Sequence, residues 1–466
     1  MELSKKPHII IIVVDAGRPD YFSCYGFPEK TTPNIDRFAG EGVVFEQVIS
    51  SAPWTIPSHG TMFTSLYPFQ HQATWETLRL KEGIPTIFDI FTENGYNAVA
   101  ASANGLIVSP YNMLGKKTKI LGSSSNNDPD VSSFANGFDY RKTDSENISG
   151  RVIKYLDENS LDTPHIMYLN FYDLHAKYKA REPFYSRFVN AQQDKTLKEI
   201  GDFYNLHFKE MNDELEISGE MIAALRASYT ARLAMIDADL GKVLAKFRER
   251  GILDNAIVMI TSDHGDVLGD HVHPSFHHQF SIYNSLLKIP LILWGNGFNR
   301  GQRIHVPLIQ NTDILPTLLE FCGLTAPDSL SNSPGVSLSE YILKGSSSLP
   351  RNYAVSMYES PLRFILRNKK KVNATYLRNL SAIQDAEHKL IFSDKGETEL
   401  YRISSDPWEK KNIAGDLPDK VGELKKAFFE IVEKFTKSEG AVASFCSNPA
   451  DEKKMLERLK SLGYIE

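Results

Sequence analysis

Three side chains that can bind a metal ion follow two short apolar runs of the chain. Asp15 comes directly after six apolar residues, and Asp263 and His264 come soon after a second run of five. An isolated buried carboxylate is costly, so each acid needs a partner. Asp15 could cap a helix or pair with Arg18. Together, however, the three side chains offer the oxygen and nitrogen ligands of a divalent cation site. A histidine ligand favours Mn or Zn over Ca or Mg.

A hydroxyl-bearing residue stands just before a predicted helix start. Thr55 lies two residues ahead of Pro57, and Pro57 with Ser58 is typical of a first helical turn. The free N–H groups of such a turn stabilise an anion. A hydroxyl beside a helix start and a divalent cation can act as a nucleophile. Thr55 is therefore a candidate nucleophile and metal ligand, although Thr and Ser are also common helix caps.

Histidines form a second group of candidates. His271, His273, His277 and His278 fall within eight positions, shortly after Asp263. Any one of them could be an ordinary surface or core histidine. Their clustering near the second strand end indicates a site instead, with His278 as a contact to an anion or a leaving group and His277 as a further substrate contact.

The elements that must position these residues alternate along the chain. Continuous apolar runs that stop at polar residues are typical of strands buried on both faces, and they occupy residues 9–14, 98–101, 166–171, 256–260 and 291–294. Helical patterns that stop at or near a glycine cover residues 85–94, 220–250 and 313–322. The alternation predicts an α/β fold, namely a doubly wound, mixed or mostly parallel sheet with helices on both faces. Ligands bind beyond the carboxyl ends of such strands, which is where the polar candidates fall.

Two regions depart from this alternation. Residues 176–222 are polar and rich in aromatic residues, and they predict a helical insertion that is either a plain surface element or a lid over the strand ends. After about residue 350, short antiparallel strands are predicted, with a terminal helix near residues 451–462. We therefore predict a catalytic domain at 1–349, which includes the insertion, and a C-terminal α+β subdomain at 350–466.

Composition excludes several classes of protein. The 466 residues include 52 Lys+Arg and 58 Asp+Glu, a net charge of −6 without a long basic run, which argues against a nucleic-acid binder. Three cysteines cannot build a disulfide framework. No apolar stretch approaches the roughly 20 residues that span a bilayer, and the N-terminal run is too short for a signal-peptide core. A cytoplasmic protein is expected.

The motifs, taken together and in order, resemble the sulfatase family of the alkaline-phosphatase superfamily along nearly the whole chain. The matching stretches are residues 14–26, 32–36, 55–68, 170–175, 261–271, 313–318, 400–412 and 462–464. The resemblance implies the fold of that superfamily and an activity on ester bonds.

The resemblance also implies roles for individual residues. Asp15, Asp263 and His264 would be metal ligands, and Thr55 would occupy the nucleophile position. Two histidines would contact the anionic group or the leaving oxygen of the substrate, His175 and His278. Asn104 follows the strand after which the family often places a further substrate contact.

Several positions depart from the family pattern. Thr55 stands where sulfatases carry a Cys or Ser that is converted to formylglycine, and its Cβ methyl group blocks that conversion. His59 replaces the usual Arg of the motif and is taken as a substrate contact. Ala16 replaces an acidic residue, and His264 stands where Asn is often found. Two ligands of the family's calcium site have therefore changed.

A second metal ion is an open question at this stage. Asp173, His175 and either His277 or His278 could hold it, or Asp173 could only support the first site. In either case we expect a divalent metal, with Mn or Zn favoured over Ca or Mg.

These departures favour a metal-dependent hydrolase of phosphate or phosphonate esters. A threonine ester cannot be released by collapse to an aldehyde, so water or another acceptor must attack it. One alternative is a sulfuric ester hydrolase that works without formylglycine. Another is an anion-binding relative with weak activity. The expected partner is a small molecule or a glycan that carries a sulfate or phosphate ester.

Overall fold

The computed structural model describes residues 6–102, 104–108, 113–121, 144–175, 180–201, 209–210, 212, 214–271, 280–360, 373 and 376–436. Its strands are β1 His8–Val14, β2 Val43–Ile49, β3 Asn97–Ser102, β4 Lys119–Ile120, β5 His165–Phe171, β6 Ala256–Thr261, β7 Lys288–Gly295, β8 Gln302–Ile304, β9 Ile309–Gln310, β10 Ala354–Tyr358, β11 Leu380–Gln384, β12 Lys389–Ser393 and β13 Thr398–Tyr401. Its α-helices are α1 Pro33–Glu41, α2 Thr55–Thr64, α3 Pro68–His71, α4 Ile87–Glu93, α5 Gly105–Val108, α6 Ser145–Glu158, α7 Phe184–Phe188, α8 Ala191–Ile200, α9 Gly219–Glu249, α10 Asn284–Leu287, α11 Ile314–Phe321, α12 Ser339–Lys344 and α13 Pro418–Thr436.

The large sheet has the order β4-β3-β5-β1-β6-β7-β2-β8, with β9 beside β2. All strands run in one direction except β7, which is antiparallel to both β6 and β2. The sheet is therefore mixed and mostly parallel, which confirms the predicted fold class. Strands β2, β4, β8 and β9 are additions to the strands predicted from the sequence.

The central strand β1 shows why this sheet is buried on both faces. Ile9, Ile11 and Val13 belong to one core, and Ile10, Ile12 and Val14 belong to the other. All six side chains are fully buried. Successive side chains of a strand point to opposite faces, so a run without polar residues requires cover on each side. The helices α1, α6 and α9 pack on one face, and α2, α4 and α11 pack on the other.

The C-terminal part contains the expected small sheet, with the antiparallel order β10-β11-β12-β13. Helix α13, which was not predicted from the sequence, packs its buried Leu424 and Phe428 against this sheet. The predicted terminal helix near residues 451–462 lies outside the described residues. The boundary near residue 350 stays a prediction.

Within the predicted insertion 176–222, the described part forms α7, α8 and the start of α9. Helices α7 and α8 pack on α9 through a small cluster that includes Val189, Ala231 and Met235. Arg181 also pairs with the buried Asp239 of α9. The role of this insertion as a lid stays a prediction. Among the described helices, none is both long enough and apolar enough to cross a membrane.

Candidate active site

The predicted metal-binding residues converge at the carboxyl ends of β1, β5 and β6. The parallel pairing of β1 with β5 and with β6 brings these strand ends together. Asp15 follows β1, His175 comes four residues after β5, and Asp263 and His264 follow β6. Among the described residues, Asp15, His175 and His264 offer ligand atoms that all lie within 4.8 Å of one another. The structure therefore places His175 with Asp15 and His264 as candidate ligands, whereas Asp263 is not among these three.

One oxygen of Asp15 is held by the protein while the other remains available. Asn104 and Asn170 donate to Oδ2 from their side-chain nitrogens at 2.8 Å and 3.2 Å. The buried Oδ1 accepts no hydrogen bond from any residue that the structure describes, and it lies 3.2 Å from Nε2 of His175 and 3.8 Å from Nε2 of His264. A buried carboxylate oxygen without a donor is costly, which fits an oxygen that binds a cation.

Asp263 shows the same division between its two oxygens. Its Oδ1 accepts hydrogen bonds from the backbone N–H groups of Ala16 and His264 at 3.1 Å and 2.9 Å. Within the described part of the chain its buried Oδ2 accepts none, and it lies 3.4 Å from both Nε2 of His264 and Nδ1 of His59. Burial, together with the neighbouring charge of Asp15, raises the pKa of Asp263 well above its usual range. A bound cation would relieve this repulsion between the two acids.

His264 presents a lone pair to this group. Its Nδ1 lies 2.7 Å from the carbonyl oxygen of Gly265, which can only accept a hydrogen bond, so Nδ1 carries the proton. The other nitrogen, Nε2, is then unprotonated and can bind a metal ion. Burial lowers the pKa of His264, which favours the neutral ring that a metal ligand requires. The donor set therefore fits a divalent cation.

Thr55 is the first residue of α2, and its side chain is buried. Its Oγ1 lies 3.5 Å from Nε2 of His264. Trp54 precedes it in an extended conformation and stacks on Trp75 with the ring centroids 4.0 Å apart. The first N–H groups of a helix lack partners within the helix. The start of α2 therefore brings such groups close to His264 and the other candidate ligands.

His59 makes hydrogen bonds within the protein, and its role as a substrate contact stays a prediction. Its Nδ1 donates to the backbone carbonyl of Thr55 at 2.9 Å, and its Nε2 accepts from the hydroxyl of Tyr168 at 2.7 Å. Both ring nitrogens are engaged within the protein, and burial lowers the pKa of His59 to about 4. This neutral ring stabilises the first turn of α2 through its hydrogen bond to the carbonyl of Thr55.

Asn104 also has a supporting position. Its side-chain nitrogen donates to Asp15, and its Oδ1 accepts from the backbone N–H of Leu106. The amide therefore orients a predicted metal ligand, and its role as a substrate contact stays a prediction. Two similar residues were not predicted from the sequence, Asn170 and Tyr168. A polar residue inside an otherwise apolar strand was the available signal for both.

The last three candidate residues are Asp173, His277 and His278. Asp173 is nearly buried, lies 3.5 Å from Nη1 of Arg232, and is not part of the ligand group. Burial raises the pKa of Asp173 to about 6. His277 and His278 lie outside the described residues, so both stay predictions, as does a second metal site that would use either of them.

Comparisons with known proteins identify the family of the chain. The family model described as Sulfatase matches residues 7–324, and one described as N-sulphoglucosamine sulphohydrolase, C-terminal, matches residues 271–437. The chain is 23% identical to the multifunctional alkaline phosphatase superfamily protein PehA of Trinickia caryophylli, over 88% of this chain and 92% of that protein. It is 25% identical to arylsulfatase K of Xenopus laevis, over 92% of this chain and 83% of that protein.

A solved structure has the same fold. The phosphonate monoester hydrolase of Agrobacterium radiobacter superposes with a TM-score of 0.68 at 17% identity, and the superposition covers 92% of this chain and 96% of that one. This likeness extends the architecture beyond the sheet to the C-terminal part. Because the Sulfatase family model matches more than half of the chain, over residues 7–324, the chain belongs to the sulfatase family of hydrolases.

Proposed function

We propose that the protein is a metal-dependent hydrolase of phosphate or phosphonate esters and that Thr55 is its nucleophile. The observation that carries this proposal is the position of Thr55 Oγ1, at the start of α2 and 3.5 Å from Nε2 of His264. Two buried carboxylate oxygens that accept no hydrogen bond from the described residues lie near Nε2 of His264, one from Asp15 at 3.8 Å and one from Asp263 at 3.4 Å. A nucleophile, a helix start and metal ligands are thus collected in one place.

The residues that would hold the ion are Asp15, Asp263, His175 and His264. Two carboxylates and two imidazoles favour Mn or Zn over an all-oxygen Ca site. A divalent cation bound there would polarise an oxygen of the ester and lower the pKa of a nearby hydroxyl. His175 then serves as a ligand rather than as the leaving-group contact that the resemblance implied.

The reaction at Thr55 has two steps. In the first, a bond forms between Oγ1 and the phosphorus while the bond from phosphorus to the alcohol oxygen breaks, and the alcohol leaves with the threonine proton. In the second, water attacks the phosphorus, the bond to Oγ1 breaks, and threonine regains its proton. The first N–H groups of α2 favour the negative charge of the group held at Oγ1.

Threonine itself supports this two-step route. Its Cβ carries one hydroxyl and a methyl group, so a threonine ester has no second hydroxyl that could expel the group by forming an aldehyde. An in-line attack by water has no such requirement. The likeness of the fold to a phosphonate monoester hydrolase supports the choice of phosphate or phosphonate esters.

The second candidate function is hydrolysis of a sulfate ester without formylglycine. Membership of the sulfatase family favours it, as does the match of residues 271–437 to a model named for an N-sulphoglucosamine sulphohydrolase. In that case the substrate would be a sulfated glycan or a smaller sulfate ester.

A panel of aryl esters separates the two candidates. We would measure the metal content of the purified protein by mass spectrometry and then test an aryl sulfate, a phosphomonoester, a phosphodiester and a phosphonate monoester, before and after chelation. Metal-dependent turnover of the phosphorus esters is expected. Preferential turnover of the aryl sulfate would favour the second candidate, and turnover unaffected by complete metal removal would contradict both.

A further inference from the structure

A fully buried amide contacts the chain on both sides of Thr55. Asn311 lies at the start of a short 3-10 helix that follows β9. Its Oδ1 accepts from the backbone N–H of Ser51 at 3.0 Å, four residues before Thr55. Its Nδ2 is placed to donate to the carbonyl oxygen of Ser58 at 3.3 Å and to the hydroxyl of Ser58 at 3.1 Å, three residues after Thr55.

The same network continues to the metal-binding strand end. The hydroxyl of Ser58 donates to the backbone carbonyl of Asp263 at 2.6 Å. The hydroxyl of Ser50 lies 3.0 Å from that of Ser58 and 3.4 Å from Nδ2 of Asn311. All of these side chains are fully buried. A chain of hydrogen bonds therefore runs from Asn311 through the first turn of α2 to the backbone of a predicted ligand.

We propose that Asn311 is a positioning residue that fixes Thr55 relative to the metal-binding group. This inference rests on the proposed function, because it assumes that Oγ1 of Thr55 must be held at one distance from that group. Asn311 joins Ser51, which precedes the nucleophile, to Ser58 in the first turn of α2. Ser58 in turn joins this helical turn to Asp263. Between Ser51 and Thr55, only a few residues of the loop from β2 to α2 are then not held by this network.

The chemistry of the position explains why an amide is used. The site requires an acceptor toward the N–H of Ser51 and a donor toward the carbonyl of Ser58, and one amide supplies both. An aspartate would keep the acceptor but would face the Ser58 carbonyl with a second oxygen. Alanine would leave the buried N–H of Ser51 without this acceptor and would remove the donor to Ser58.

The test compares Asn311→Ala and Asn311→Asp with Asn34→Ala. Asn34 is a useful control because its amide also ties two elements together, donating to Asp237 of α9 from the start of α1, away from the site. Turnover would be measured on the aryl ester that the wild-type protein hydrolyses fastest. We expect kcat to fall on the order of 100-fold in the Asn311 variants, because a shift of about 1 Å in a reacting group has that effect. KM and metal content should stay close to wild type, and Asn34→Ala should keep kcat.

A second variant covers the case in which Asn311→Ala does not fold. Ser58→Ala removes one partner of the amide together with the link to Asp263, and it should lower kcat by a smaller factor. The double variant Asn311→Asp/Ser58→Ala should lose less than the product of the two single losses, because both residues act in one network. Independent, multiplicative losses would contradict the proposal.

The outcomes separate this inference from the proposed function. If Thr55→Ala is inactive while Asn311→Ala and Asn311→Asp keep kcat within about twofold of wild type, the positioning role is wrong and the function stands. Equal losses of kcat in the Asn311 and Asn34 variants would also overturn the positioning role, because they would reflect general destabilisation. Full activity of Thr55→Ala would overturn both proposals.

Discussion

Thr55 and His264 meet with Oγ1 3.5 Å from Nε2, although 209 positions separate them in the chain. One residue begins a helix on one face of the sheet, and the other follows the end of a central strand. Because Nδ1 of His264 is bound to the carbonyl of Gly265, the nitrogen that faces Thr55 is the unprotonated one. The contact therefore places a hydroxyl beside a nitrogen that can bind a metal ion.

Removal of the Thr55 hydroxyl should abolish turnover without loss of metal. Thr55→Ala is expected to lose on the order of 4 kcal/mol or more of transition-state stabilisation, which corresponds to about a thousandfold lower kcat. Thr55→Ser should stay active because the hydroxyl remains. Steady-state kinetics and metal analysis of both variants check this.

An acid quench during turnover of a phosphorus ester should trap a phosphorylated peptide that contains Thr55. Near-normal turnover by Thr55→Ala would instead identify water as the direct attacker.

The two acids should be required for metal binding. Asp15→Asn and Asp263→Asn are expected to lose the metal while keeping the fold, since each change removes a carboxylate that offers a buried oxygen. Asp254→Asn is the matched control, because Asp254 is exposed and lies just before the opposite end of β6. Mass spectrometry of purified proteins gives the metal content.

Thermal unfolding provides a second check on these variants. A metal ion at 100 times its Kd stabilises the folded state by about 2.7 kcal/mol. A chelator should therefore lower the Tm of the wild type and of Asp254→Asn, and it should have little effect on the two site variants. Full metal content and full activity in both site variants would rule out the predicted ligand group.

The loop after β1 should not tolerate a side chain at Gly17. A Cβ there would lie 2.4 Å from Oγ of Ser262 and 2.8 Å from the carbonyl oxygen of Val14. Gly17→Ala should displace the strand ends that carry Asp15 and Asp263, with a stability loss of about 1–3 kcal/mol and weaker metal binding.

Gly40→Ala is the control for Gly17→Ala. Gly40 is an exposed residue of α1, and a Cβ added there would meet no neighbouring atom within 4 Å, so alanine should leave stability equal or slightly improved. Urea unfolding and metal titration of both variants check this. Equal stability of the two variants would show that the loop can relax around the added methyl group.

Acid should destabilise the protein in part through His71. Burial lowers the pKa of His71 to about 3, against about 6.5 in an unfolded chain. Its Nδ1 accepts from the backbone N–H of Ala73 at 3.0 Å, so a second proton has no place on the folded ring. Between these two pKa values the unfolded state binds one more proton, so the free energy of unfolding falls as pH is lowered from about 6.5 toward 3.

The comparison for this effect is His71→Gln. Over the part of this range where both proteins remain folded, the wild-type slope should exceed that of the variant by about 1.4 kcal/mol per pH unit. Chemical unfolding at several pH values measures both slopes. Parallel curves would mean that His71 titrates in the same way in the folded and unfolded states.

From the sequence one can predict the α/β fold class and which strand ends carry the candidate site residues. Continuous apolar runs of this length indicate strands covered on both faces, and the carboxyl ends of parallel strands must meet at one edge of the sheet. Asp15, Asp263 and His264 could therefore be grouped before any coordinates were known. Thr55 could be placed at a helix start from Pro57 and Ser58 that follow it.

Only the tertiary structure decided what the surrounding polar residues contact. The sequence around His59 and Asn104 does not show whether these side chains contact a substrate or another part of the protein. In the structure His59 contacts Tyr168, and Asn104 contacts Asp15. Asn311 becomes meaningful only when β9 pairs with β2 and brings its amide to Ser51 and Ser58. The physical reason is that local patterns fix the backbone direction and burial, whereas hydrogen-bond partners depend on long-range strand order and register.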